Sequence, residues 1–231
     1  MPLDYSKLSA QQLISIVTSP FAEVCYSFEG EDRLLLRLFQ DQATGFYVDV
    51  GAHHPFWGSN TCIFHLRGWR GINIDATPGS MERFHRYRPE DVNLECLVGT
   101  ETAPVPFVMF NEPALNSAKP NRSAELPGHY SVAKILSLTP RRLDDILDAH
   151  LPAGTAIDIL SVDAEGCDLD VLQSNNFQRY RPRCIVVEDL GFRLDAPTES
   201  SVFRFLQEQG YRLHSKLDVS QVWCDVHDGP R

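Results

Sequence analysis

Apolar positions change their period near residue 46. Before it, Leu8, Leu13, Ile14 and Val17, and then Leu34, Leu35, Leu36 and Leu38, fall at helical spacing on either side of Pro20 and the turn-like SFEGED. Residues 6–40 are therefore expected to form an N-terminal helical cap. From Phe46 onward the chain carries short unbroken runs rich in β-branched residues, namely FYVDV, GINID, VNLECLV, IDILSVD and CIVVED. Runs of this kind are expected of strands buried on both faces. Helix-compatible segments lie between them at 59–67, 79–88, 140–149 and 167–174, the third with Thr139 as its cap and Pro140 in its first turn. Strands alternating with helices imply βαβ units and a parallel sheet. A last helix from about Thr198 to Gly210 leads into YRLHS and SQVWCDV, two strands joined by KLDV and expected to pair antiparallel at the sheet's end. Residues 101–137 break the pattern: Pro104, Pro106, Pro113, Pro120 and Pro127 interrupt them and no period is visible. A long irregular segment in a compact protein is expected to serve as a lid or acceptor loop.

These elements add up to an α/β, Rossmann-like fold with a mostly parallel seven-stranded sheet, helices on both faces and an antiparallel C-terminal hairpin. With 231 residues, 43% of them hydrophobic, one domain is the expectation. Within it the cap takes 1–40, a ligand-binding half 41–100, the lid 101–137 and a catalytic-edge half 138–231. A formal charge of -10 argues against a nucleic-acid partner, because phosphate binding needs clustered Lys and Arg. The six cysteines are scattered without a C-x-x-C pair, which favours a reducing cytoplasm over a disulfide framework or a zinc cluster. The N-terminal MPLDYSKLSA has no basic region followed by an apolar run, and no stretch is apolar enough for a membrane span. An unprocessed cytoplasmic protein is expected, with homo-oligomerisation left open.

The chemistry gathers at strand ends. FYVDVGAHHPFWGSNT reaches Asp49, turns at Gly51 and meets Ser59, Asn60 and Thr61 at a helix start, the architecture of a nucleotide site. Gly51 is expected to admit a ligand close to the backbone, and the helix start to offer free N–H groups. GINID ends in Asp75, 24 positions later, a spacing at which an acid accepts from ribose hydroxyls; a helix cap is the plainer role for it. No G-x-G-x-x-G is present, which weighs against NAD and favours S-adenosylmethionine. SVDAEGCDLDVL sets Asp163 and Glu165 at the next strand end, and CIVVED adds Glu188 and Asp189. Asp163, Glu188 and Asp189 are the expected ligands of a hard cation such as Mg²⁺ or Mn²⁺, the alternative being pairing with Arg193, Lys216 or backbone amides. His53 and His54 are candidate bases or metal ligands, with a loop hydrogen bond as the plainer role. Phe56 and Trp57 are read as pocket lining or core, and His129 with Tyr130 as acceptor contacts or ordinary loop residues.

SFEGED, FYVDVGAHHPFWGSNT, GWRGINIDATP, SVDAEGCDLDVL and IVVED, in that order, resemble the FkbM family of methyltransferases over nearly the whole chain. The resemblance implies a class I, S-adenosylmethionine-dependent O-methyltransferase acting on a small-molecule or glycan acceptor, a sugar or a polyketide-type product. It implies Asp49 and Gly51 at the cofactor turn, Asp75 at the ribose, and Asp163 with Glu165 as the D-x-E-G strand end; Ala52, Ser59, Asn60, Thr61, Ala76 and Asp163 are read with them as cofactor-binding. Gly30, Glu31 and Asp32 match an entry motif read as closing the cofactor pocket, which puts Glu31 among the cofactor residues. Asp163 and Glu188 then organise the catalytic edge and His54 is the leading candidate base. The chain departs from the family pattern at His53, where a second Gly or small residue is common. Rival readings are a non-catalytic nucleotide-binding protein of the same fold and an NAD-dependent oxidoreductase. The latter is weakened by the missing glycines and the lack of a Tyr-x-x-x-Lys pair.

Overall fold

The computed structural model describes residues 7–228; residue 6 of the expected cap and the start of MPLDYSKLSA lie outside them. Nine strands and eight α-helices occur among the described residues. Strands β1 (Phe46–Val50), β2 (Arg70–Asp75), β3 (Val92–Glu95), β6 (Ile159–Val162) and β7 (Cys184–Glu188) run parallel, and β8 (Tyr211–Lys216) and β9 (Ser220–Asp225) close the sheet antiparallel. The order is β3-β2-β1-β6-β7-β9-β8. The chain switches direction between β1 and β6, and the crevice beyond the carboxyl ends of such a pair is where ligands of open α/β sheets bind.

Side-chain alternation splits each strand between two cores. Tyr47, Ile159, Cys184 and Val222 pack with Leu35, Phe64 and Trp69, while Val48, Leu160, Ile185 and Trp223 pack with Leu143, Leu172 and Leu206. The first face is covered by α2 (Glu31–Leu38) and α3 (Cys62–Leu66), the second by α6 (Leu143–His150), α7 (Asp168–Gln173) and α8 (Ser201–Glu208). Helix α1 (Ala10–Val17) starts in a capping box formed by Ser9 and Gln12 and buries none of its residues. Helix α4 (Met81–Tyr87) packs Met81 and Phe84 against Ala52. The thiols of all six cysteines are free, and among the described residues no helix is long and apolar enough to cross a membrane.

Two expectations change. Residues 101–137 are not loop throughout: β4 (Val105–Phe110) and β5 (Val132–Leu138) form a separate antiparallel ribbon, joined through the short helix α5 (Arg122–Glu125). The pattern hid it because β5 is exposed at most positions, Pro106 sits inside β4, and the register slips at Met109/Phe110. Thr139 does not cap the following helix. Arg141 pairs with Val98 and exchanges backbone hydrogen bonds with Leu97 and Gly99, which keeps residues 140–141 extended and delays the helix to Leu143.

Candidate active site

A pocket opens at the switch point. Its walls come from the β1 turn (Gly51, His53), the end of β2 (Asp75, Ala76, Thr77), the end of β6 (Asp163, Glu165), the apolar Val98 and Phe107, and residues 113–118 of the ribbon's connection. Asp75 grips two loops at once: Oδ2 accepts from His53 N at 3.0 Å and Oδ1 from Thr77 N at 2.7 Å. Each oxygen keeps a second acceptor direction for a ligand hydroxyl. Gly51 has φ 82°, and a Cβ there would overlap the carbonyl oxygen of Asp163. The glycine is required by the close approach of two strand ends, not by room for a ligand.

Residues 59–61 face elsewhere. Arg88, only 1% exposed, donates to Ser59 Oγ (3.0 Å), Thr61 Oγ1 (2.9 Å), Asn73 Oδ1 (3.2 Å) and the Pro55 carbonyl (2.5 Å). Thr61 Oγ1 in turn donates to Asp49 Oδ2 at 2.6 Å, and Asn60 Nδ2 donates to Ser161 Oγ at 3.1 Å. Asp49, whose carboxyl burial pushes upward, sits in this network beneath the turn and does not line the pocket. Ala52 is likewise buried under it against α4. Helix α3 has five residues, and Thr61 gives it no side-chain cap. Arg88 thus organises the turn from below. Its only sequence signal is an arginine ending a helix-compatible segment before Pro89.

Glu31 is also turned to structural work: Oε1 accepts from Ser220 Oγ at 2.8 Å and Oε2 from Glu29 N at 2.9 Å. Asp32, fully buried, accepts from Tyr26 N and Ser27 Oγ. The G-E-D turn therefore fastens the N-terminal segment to the β8–β9 hairpin. His54 is buried with Nδ1 accepting from Phe56 N (3.1 Å) and Trp57 N (3.3 Å), and its ring stacks on Trp57 at 4.0 Å. Burial and nearby Arg83 lower its pKa, so the ring is neutral with its acceptor nitrogen spent on the loop. That geometry leaves His54 unable to take a substrate proton. Its neighbour His53 lines the pocket, on a backbone at φ 47°.

The catalytic edge is a pair and not a trio. Val162 pairs with Val187, so Asp163 and Glu188 emerge side by side. Burial, then the Glu188 charge, raises Asp163 well above the usual carboxylate range; burial, then Glu165 and Asp168, pushes Glu188 up to about 7. Asp163 Oδ1 and Glu188 Oε2 are shielded from solvent and have no hydrogen-bond partner among the described residues. Asp189 turns away, accepting from Ser200 Oγ (2.5 Å) and Gln221 Nε2 (2.9 Å). The expected three-carboxylate cation site is therefore not assembled. Among the described residues no three His, Cys, Asp or Glu side chains are placed to hold a metal. Arg193 pairs with Asp195 at 2.8 Å, and His129 packs on Tyr130 away from the pocket walls.

The pocket joins apolar walls at Val98 and Phe107 to the Asp75 carboxylate and to an acidic edge with an unpartnered Asp163 oxygen. Over residues 49–213 the sequence matches the FkbM methyltransferase domain model. No curated protein and no solved structure matches the chain.

Proposed function

The chain belongs to the FkbM methyltransferase family, and on that premise we propose that it uses S-adenosylmethionine to methylate a hydroxyl of a sugar, glycan or polyketide-type product. The observation that carries the reading is Asp163, whose shielded Oδ1 has no partner on the wall of a pocket that also holds Asp75. A buried, unpaired acceptor is costly unless a ligand answers it. When bound, S-adenosylmethionine supplies a methyl group on a cationic sulfonium.

The chain's own residues do the rest. Asp75 accepts ribose hydroxyls, and Ile74, Val98 and Phe107 exclude water from the base. The Asp163–Glu188 edge favours positive charge. Glu188 stands beside Asp163 at the strand ends, its carboxyl pushed up to about 7 by burial and then by Glu165 and Asp168. Most of the rate enhancement then comes from holding the acceptor oxygen in line, a matter of positioning.

Calorimetric titration with S-adenosylhomocysteine and with NAD, followed by a methyl-transfer screen on hydroxylated glycans and polyketides, tests this. Binding of S-adenosylhomocysteine with transfer to a hydroxyl is expected. Binding of NAD alone would return the oxidoreductase reading, and S-adenosylhomocysteine binding without transfer to any acceptor would support a non-catalytic role.

A further inference from the structure

Of the fourteen large hydrophobic side chains that stand exposed among the described residues, six fall within residues 14–28: Ile14, Ile16, Val17, Phe21, Val24 and Phe28. Helix α1 buries none of its residues, and Phe21 is 91% exposed. Exposed apolar side chains are ordinary when scattered singly, whereas a run of six marks a face that something covers. Residues 10–28 carry one charged side chain, Glu23, and it is paired with Arg33. The exposed segment is therefore apolar and free of unanswered charge.

The segment ends against the β1 turn. Ser59 N donates to the Tyr26 carbonyl at 3.0 Å, and a Cβ at Gly58 would run into the Phe28 ring. Beside Gly58, Trp57 is 64% exposed and stacks on His54, while Phe56 meets the edge of Tyr87 with ring centres 5.0 Å apart. Arg86 lies over the exposed Tyr87 ring. Arg83, one turn before Tyr87 on α4, reaches the same cluster, since burial and then its charge lower the pKa of His54. Neither Arg83 nor Arg86 has an acidic partner among the described residues, whereas the exposed Arg179 and Arg193 are both paired with acids. Helix α4 sets Glu82 alone against Arg83, His85 and Arg86.

We propose that this surface, the apolar 14–28 segment with Trp57, Tyr87, Arg83 and Arg86 at its border, docks on a phospholipid bilayer. Apolar side chains next to unpaired guanidinium groups match acyl chains lying below headgroup phosphates, and Trp and Tyr suit the boundary between the two. A self-complementary pairing of two copies fits less well, because it would enclose the arginines of both without an acid to answer them. The formal charge of -10 opposes the contact only weakly, since exposed charges more than about 10 Å away are screened at about 0.1 M salt. Phe28 and Gly58 also line the pocket, so docking brings the pocket to the bilayer surface. Docking itself requires no particular reaction there.

Flotation of the full-length protein with phosphatidylcholine vesicles, with and without about 30% phosphatidylglycerol, measures the contact. Binding to both is expected, at least about fivefold tighter to the anionic vesicles. Trp69 and Trp223 are each 1% exposed, so a blue shift of tryptophan emission on adding vesicles arises from Trp57 and should be lost in Trp57→Phe. The double variant Phe21→Ser/Val24→Ser, at exposed positions outside the pocket, should weaken binding to both vesicles at least about tenfold with an unchanged Tm. Arg83→Gln/Arg86→Gln should remove the preference for anionic vesicles. No binding to either vesicle, equal binding to the two, or wild-type binding by Phe21→Ser/Val24→Ser overturns the proposal. So does a dimer, seen by light scattering without vesicles, that the same double variant splits, because the surface then belongs to a second copy.

Discussion

Replacing Asp75 with asparagine separates two roles that the carboxylate fills together. In the folded protein each oxygen accepts one backbone N–H, from His53 at 3.0 Å and Thr77 at 2.7 Å. An asparagine presents one acceptor and one amide donor, so one of these N–H groups must face an N–H. Leaving one such group unpaired costs about 1 to 3 kcal/mol, and for a chain of this length each kcal/mol lowers Tm by roughly 2 to 4 °C. The clasp alone therefore predicts a fall of about 2 to 12 °C. Cofactor binding adds an independent loss, because the side chain can no longer accept from two ribose hydroxyls. A further 1 to 3 kcal/mol there weakens S-adenosylhomocysteine by about 5- to 150-fold. Differential scanning calorimetry reads the first effect, and isothermal titration well below the variant's Tm reads the second. A lowered Tm with affinity within about twofold of wild type would make Asp75 a loop clasp only and remove it from the ligand site.

Glu188 and Asp168 have folded-state pKa values of about 7 and about 6, above those of an unfolded chain. Their contribution to stability is thus present in acid and is lost as pH rises through those values. Glu188→Gln should accordingly gain urea resistance over wild type at about pH 8 and little at about pH 5; an equal difference at both would refute the shift. Gly51→Ala must accommodate a Cβ against the Asp163 carbonyl at φ 82°. The backbone conformation alone costs about 1 to 2 kcal/mol, so the variant should melt several degrees lower or fail to fold, and a wild-type melting curve would contradict the packing. Arg88→Met removes the donor to Ser59, Thr61, Asn73 and the Pro55 carbonyl. A loss of about 3 kcal/mol in urea unfolding is expected, and a loss under about 0.5 kcal/mol, the size of a surface substitution, would show that Arg88 does not hold the turn.

The sheet was legible because strands buried on both faces leave apolar runs that nothing else in a chain of this composition requires. FYVDV, IDILSVD and CIVVED are of that kind, and so is the closing hairpin. The β4–β5 ribbon left no such trace, since β5 is exposed at most positions and Lys134 interrupts the face that carries Leu136 and Leu138. At the site, residue types were readable and directions were not. The adjacent His53 and His54 differ in role because one left-handed φ turns the first toward the pocket and sends the second back to the loop amides. Asp189 differs from Glu188 for a simpler reason, as alternate positions at a strand end face opposite ways, toward Ser200 in one case and Asp163 in the other. Arg122 lies amid prolines and polar residues, where a single arginine carries no signal until the ribbon folds it against Glu165.

The strain at the pocket is answered by hydrogen bonds that need no ligand. A non-glycine residue in the left-handed region costs about 1 to 2 kcal/mol. At His53 the conformation aims the N–H at Asp75, and a charge-assisted bond of about 1.5 to 3 kcal/mol is enough to offset it. At Glu165 the compensation is distributed over the flanking peptides. Ala164 N and Gly166 N donate to the two oxygens of Asp168 at 2.8 and 3.0 Å, and the Glu165 carbonyl receives Ser117. Both left-handed residues are thus locked by carboxylates at the ends of β2 and the start of α7, elements anchored in the sheet. A pocket held open in this way spends little binding energy on ordering itself. The adjustable part is the 111–131 connection, which is tied down by polar contacts on its inner side and buries only Ser117 and Arg122 beyond the strands. Segments with so little buried surface open at the low end of a protein's stability range. The Arg122–Glu165 ion pair, at 2.6 Å, is the contact that ties this connection to the end of β6.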